Sequence, residues 1–70
     1  MKKLNPNKLL LSKWTSAVPK NKEKHFIVTE LIRDEDEIVT EVVLEAVYNK
    51  NTYPMPWQTL QQDQWLQGWK

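Results

Sequence analysis

With no cysteine among its 70 residues, the chain has no covalent staple and no thiolate to hold a zinc ion. A domain of this size buries only about 60% of the surface its unfolded chain exposes, so it must be stabilised by packing alone. Four tryptophans, two tyrosines and one phenylalanine are available for that purpose. Burying one large aromatic side chain removes about 150–250 Å² from water, a gain of several kcal/mol at ~25 cal/mol/Å². A structural use is therefore the first explanation for each tryptophan. A binding role has to be argued against it.

The length fits one small domain over residues 1–70, with residues 1–7 as a flexible amino-terminal arm. The longest apolar run, Leu9-Leu10-Leu11, is far short of the roughly 20 residues a membrane helix needs. Lys13 follows almost at once, which excludes the hydrophobic region of a secretory signal. The expectation is a soluble, cytoplasmic chain with no membrane, metal or cofactor to bind.

Charge is nearly balanced overall, at +1, but is segregated along the chain. Residues 1–25 carry seven lysines and a single acid, Glu23, for a local +6. Residues 30–45 carry seven acids and a single arginine, Arg33, for a local −6.

The middle reads as β-structure. His25–Ile32 and Ile38–Tyr48 are rich in β-branched and aromatic residues. Val39, Val42, Val43, Ala46 and Val47 also fit a helical period. Six of the eleven residues from Ile38 to Tyr48 are β-branched, however, and crowd a helix at χ1, which favours strand. The charged stretch Arg33–Glu37 is a hairpin connection. Lys8–Val18 places Leu10, Trp14 and Val18 on one strand face and ends at Pro19. Pro54 and Pro56 make the segment from Tyr53 an edge strand or a polyproline segment. Thr59–Gln62 matches a capping box, and Trp65 and Trp69 lie four apart, so a short carboxy-terminal helix is expected there.

The fold expected is mainly β. It is a small antiparallel meander of three or four strands, over about 8–18, 24–32, 38–48 and 53–58, with a short carboxy-terminal helix. An SH3-like barrel is its curled form. The expected core is Leu10, Trp14, Phe26, Val28, Ile32, Val42, Leu44, Ala46, Trp57 and Leu66.

Catalytic and metal chemistry find little to work with. His25 is the only histidine and is read as a partly exposed strand residue. Asp34–Glu37 lacks the glycine and the distant glutamate of a calcium loop and reads as a solvated hairpin tip. Glu41 and Glu45 share a strand face and are expected to meet water or the amino-terminal lysines. No enzyme is expected. The leading reading is a non-enzymatic module that binds a protein or peptide through Tyr53, Trp57, Trp65 and Trp69. The alternative is an RNA- or single-stranded-DNA-binding module using Lys13, Trp14, Lys22, Lys24 and Phe26. Against it stand a pI near 8.0, a single arginine among ten basic residues, and the acidic middle.

Three pieces of sequence carry a family likeness: Ser12-Lys13-Trp14-Thr15, Lys24-His25-Phe26 and Trp65-Leu66-Gln67-Gly68-Trp69. With them the chain, from Asn5-Pro6 to Lys70, resembles a family of small tryptophan-rich bacterial proteins of unknown function. The resemblance implies a bacterial, stand-alone cytoplasmic chain. It implies no activity and no ligand residues.

Overall fold

The computed structural model describes residues 4–20 and 22–70. A 3-10 turn, Pro6–Lys8, leads into strands β1 (Lys13–Lys20), β2 (Glu23–Arg33), β3 (Val39–Ala46) and β4 (Thr52–Pro56). A second 3-10 turn, Trp57–Gln61, leads to a short strand β5 (Trp65–Gln67). The five strands form one open antiparallel sheet in the order β4-β3-β2-β1-β5.

The expected meander is therefore present as β1 to β4, and β5 returns to the far edge beside β1. The sheet is open and not a barrel. The helix expected after Thr59 is replaced by the second 3-10 turn and β5. The turn stops at Gln62, whose backbone is extended (φ −78°, ψ 157°). A one-turn helix has little stability of its own. A strand at this place instead pairs the outer edge of β1, with Ser16 opposite Trp65 and Trp14 opposite Gln67.

One face of the sheet is the core face. Trp14, Phe26 and Ala46 are register partners across β1, β2 and β3. Val28, Leu44 and Tyr53 are partners across β2, β3 and β4. Trp14, 1% exposed, packs there with the buried Leu9, Val28, Val42, Leu44 and Leu60. Leu9 and Leu60 come from the segments beside the two 3-10 turns, so the chain's own ends cover this face. Leu4 also packs against this core, so the expected arm is docked from Leu4 onward. Residues 1–3 of that arm lie outside the described residues.

Three expected core residues lie elsewhere. Leu10 is 49% exposed and Leu9 takes its place. The cause is a turn at Leu9–Ser12, closed by Ser12 N–H to Leu9 O (2.9 Å), with Leu11 in the left-handed region (φ 66°). That turn resets strand parity before β1 begins. Leu66 is exposed because β5 alternates and turns Trp65 inward. Ile32 is only half-buried, since a register shift after Val28 leaves Leu31 to pack against the core. Trp57 is half-buried against the core. The acidic tip Asp34–Glu37 is exposed and closed on itself, with Asp34 Oδ1 accepting from the N–H groups of Asp36 (2.8 Å) and Ile38 (3.0 Å).

Deleting the central side chain tests this packing. Trp14→Ala should lower unfolding free energy by about 3–5 kcal/mol in chemical denaturation, whereas Leu10→Ala should stay within about 0.5 kcal/mol.

Candidate functional site

The cover over the core face is incomplete at the end of the sheet where the β1–β2 hairpin meets β4 and β5. There Glu23, the lone acid of the basic amino-terminal third, opens β2 with its side chain buried, only 6% exposed. Two strands away, Tyr53 of β4 reaches over β3, where the inward residue is the small Ala46. The Tyr53 hydroxyl lies 2.7 Å from each Glu23 carboxylate oxygen and shares its one donated proton between them. Asn51 Nδ2 donates to Oε2 at 3.2 Å. Residues 23 and 53 are thus tied across the sheet.

Phe26 stands beside this pair with two aromatic neighbours. Its ring centroid is 6.2 Å from Tyr53 at 69° and 5.2 Å from Trp65 at 78°, both edge-to-face. Together with Met55 and Val18 these rings wall a cleft of about 250 Å³. Glu23 is its anionic group, and Lys20 and Ser16 complete the lining.

The Glu23 carboxyl is held below its ordinary pKa chiefly by the Tyr53 hydroxyl and then by Asn49 and Asn51, against the opposing effect of burial. Tyr53 is pushed above its ordinary value, first by its bond to Glu23 and then by burial. At neutral pH the pair is carboxylate and phenol. A carboxylate whose folded value is lowered contributes stability above the ordinary carboxylate range, and that stability is lost as pH falls through the lowered value. The raised tyrosine contributes below its ordinary range, and its share is lost as pH rises through the raised value. Among the described residues, Glu23 has no cation within ion-pair distance, and the one ion pair is Lys50 with Glu45 at 3.8 Å. Glu45 thus meets Lys50, and none of the described amino-terminal lysines pairs with it.

The four aromatic residues singled out in the sequence do not share one surface. Tyr53 and Trp65 meet at the cleft, while Trp57 packs beside the core. Trp69 lies on the opposite face of the sheet, against the residues that alternate with buried Trp14 and Phe26. Its ring is 6.0 Å from His25 at 49°, Lys13 Nζ lies 4.8 Å from its centroid, and its indole N–H donates to Phe26 O at 2.9 Å. Gly68, at φ 82°, makes the turn that brings Trp69 there.

The basic set is divided as well. Lys13, Lys22 and Lys24 are exposed, but Trp14 is fully buried and Phe26 is turned to the core face, where it lines the cleft. Glu23 was not among the candidate residues, although its position as the one acid among seven lysines was visible in the sequence.

The opposite face carries a clamp. Buried Thr15 donates through Oγ1 to Gly68 O (2.7 Å) and accepts from Lys70 N–H (2.9 Å). His25 Nε2 lies 2.9 Å from Lys70 O.

Sheet and cleft together define a small, all-antiparallel, tryptophan-rich β protein. A family model described as "Tryptophan-rich protein (DUF2389)" matches residues 12–70, and the chain belongs to that family, whose function is unknown. No curated protein and no solved structure matches the chain. Among the described residues no helix is long and apolar enough to cross a membrane, and no group of three or more His, Cys, Asp or Glu is placed to hold a metal ion.

Thr15→Val keeps the shape of the clamp and removes both bonds. It should cost about 1–3 kcal/mol in stability. Amide exchange at Trp69 and Lys70 should accelerate beyond that at β2 and β3.

Proposed function

We propose that this chain is a non-enzymatic binding module of the bacterial cytoplasm that takes a segment of a protein or peptide in the cleft at Phe26, Tyr53 and Trp65. The observation that carries the reading is the cleft itself. Three aromatic walls converge beside a single fixed polar pair, which is the composition of a recognition site: apolar area for affinity and a few polar groups for orientation. Two of the four aromatic residues expected to bind, Tyr53 and Trp65, line it. A binding rather than catalytic role is supported by the position of His25, which lies on the other sheet face against Trp69. A cytoplasmic setting suits a chain that needs no disulfide. The nucleic-acid reading has less support, since Trp14 is fully buried and Phe26 lines the cleft on the core face, away from the side chains of Lys13 and His25 that meet Trp69 on the other face.

NMR titration of the labelled chain with pooled random hexapeptides tests this proposal. Saturable shifts are expected at Phe26, Tyr53 and Trp65, and Trp65→Ala should abolish them while leaving the shifts of β2 and β3 in place. Changes confined to His25 and Trp69 would contradict it. So would binding of oligodeoxythymidine at Lys13, Lys22 and Lys24 that weakens steeply with salt.

A further inference from the structure

Glu23 is an ionised group with an unusual set of partners. Its hydrogen-bond donors are the neutral Tyr53 and Asn51, and no cation lies within ion-pair distance of it among the described residues. Buried charges are ordinarily paired, because the cost of removing them from water is otherwise only partly recovered. The carboxylate lines the cleft beside Lys20, its partner across the β1–β2 hairpin, and offers a ligand entering there an anionic contact.

The walls specify what kind of cation fits. Phe26, Tyr53 and Trp65 surround the approach with aromatic rings, whose faces attract a desolvated cation. The cleft is lined mainly by carbon, so the cation has to arrive on an apolar stem. At about 250 Å³ it is smaller than the roughly 300–1,000 Å³ of pockets that enclose a whole small-molecule ligand, so it fits one side chain of a larger partner.

Geometry also separates lysine from arginine. The Tyr53 hydroxyl, 2.7 Å from both carboxylate oxygens, stands in the forked position between them that a bidentate guanidinium would take, and Asn51 adds a bond to Oε2. A guanidinium needs two parallel free acceptor positions, whereas an ammonium is a compact point charge that one remaining position satisfies.

We propose that the cleft is a lysine-binding site. The ammonium of a partner polypeptide's lysine sits on the Glu23 carboxylate and its four-carbon stem lies along Phe26, Tyr53 and Trp65. This rests on the peptide-binding reading of the cleft and gives it a chemistry. Lys20, on the lining, carries the same charge as the ligand and stands as a competitor for the site, not a contributor.

The test uses the full chain and the acetylated, amidated pentapeptide Ala-Ala-Lys-Ala-Ala. Its norleucine counterpart has the same stem without the charge, and 1,5-diaminopentane serves as a free amine. In NMR titrations the lysine peptide should shift Phe26, Tyr53 and Trp65 saturably and bind at least about tenfold more tightly than the norleucine peptide. Diaminopentane should bind more weakly than the lysine peptide. Glu23→Gln should bring the lysine peptide down to the norleucine level. Lys20→Ala should keep or strengthen lysine binding.

Equal binding of the two peptides at the cleft would overturn the lysine assignment and leave the peptide-binding reading standing. Binding of neither peptide there, with no hexapeptide from the random pool bound, would overturn both. Tighter binding of diaminopentane than of the lysine peptide would make the ligand a free amine and overturn the polypeptide source. Loss of lysine binding in Lys20→Ala would overturn the competitor role and, with it, the cationic ligand. The comparison of lysine with norleucine is made on the wild-type chain, so it decides the matter even where Glu23→Gln fails to fold.

Discussion

Burying one face of a single sheet is the constraint on which the rest of this structure depends. No disulfide is available and the described residues form no second sheet, so the segments flanking the sheet have to supply the cover. Trp14 is where that burial is anchored: it is fully packed, and its indole N–H is satisfied by Ser12 Oγ at 2.8 Å. Leu9 arrives from the amino-terminal side and Leu60 from the second 3-10 turn. The remaining exposed backbone lies at the edges. β4 carries Pro54 and Pro56, which offer no N–H to another chain, and β5 is only three residues long.

The same economy creates the cleft. Two short end segments cannot roof the whole face, and the uncovered part falls between the β1–β2 hairpin and the outer strands. Aromatic residues there are held by one another edge-to-face, and Glu23 and Tyr53 fasten the hairpin to β4. On the proposed reading, stability and recognition share residues. Phe26 is core and wall at once, and Tyr53 both ties the sheet and holds the carboxylate of the cleft.

Much of this was legible in the sequence because it is local. The β-branched run from Ile38 and the alternation of Phe26 with Val28 and of Val42, Leu44 and Ala46 identify strands and their buried face without any knowledge of partners. What was not legible depends on contacts distant along the chain. Nothing within Trp65–Trp69 distinguishes a helix from a strand; the choice is made by the unpaired edge of β1, some fifty residues earlier. Leu9 and Leu10 exchange roles because Leu11 adopts a left-handed conformation, which periodicity does not register in a leucine. Glu23 looked like a stray acid in a basic segment. Its meaning comes from Tyr53, thirty residues away, and the same distance explains why two of the four tryptophans and tyrosines chosen for binding face other surroundings.

Everything proposed for the cleft depends on a charged Glu23 carboxylate stabilised there by neutral donors. Carbon-13 NMR titration of the Glu23 side-chain carboxyl in the folded, ligand-free chain tests it most directly. A midpoint below that of glutamate in an unstructured peptide is expected, with the Tyr53 ring signals responding at the same midpoint. A midpoint at or above the peptide value would mean that burial outweighs the hydrogen bonds, and would contradict an anionic cleft.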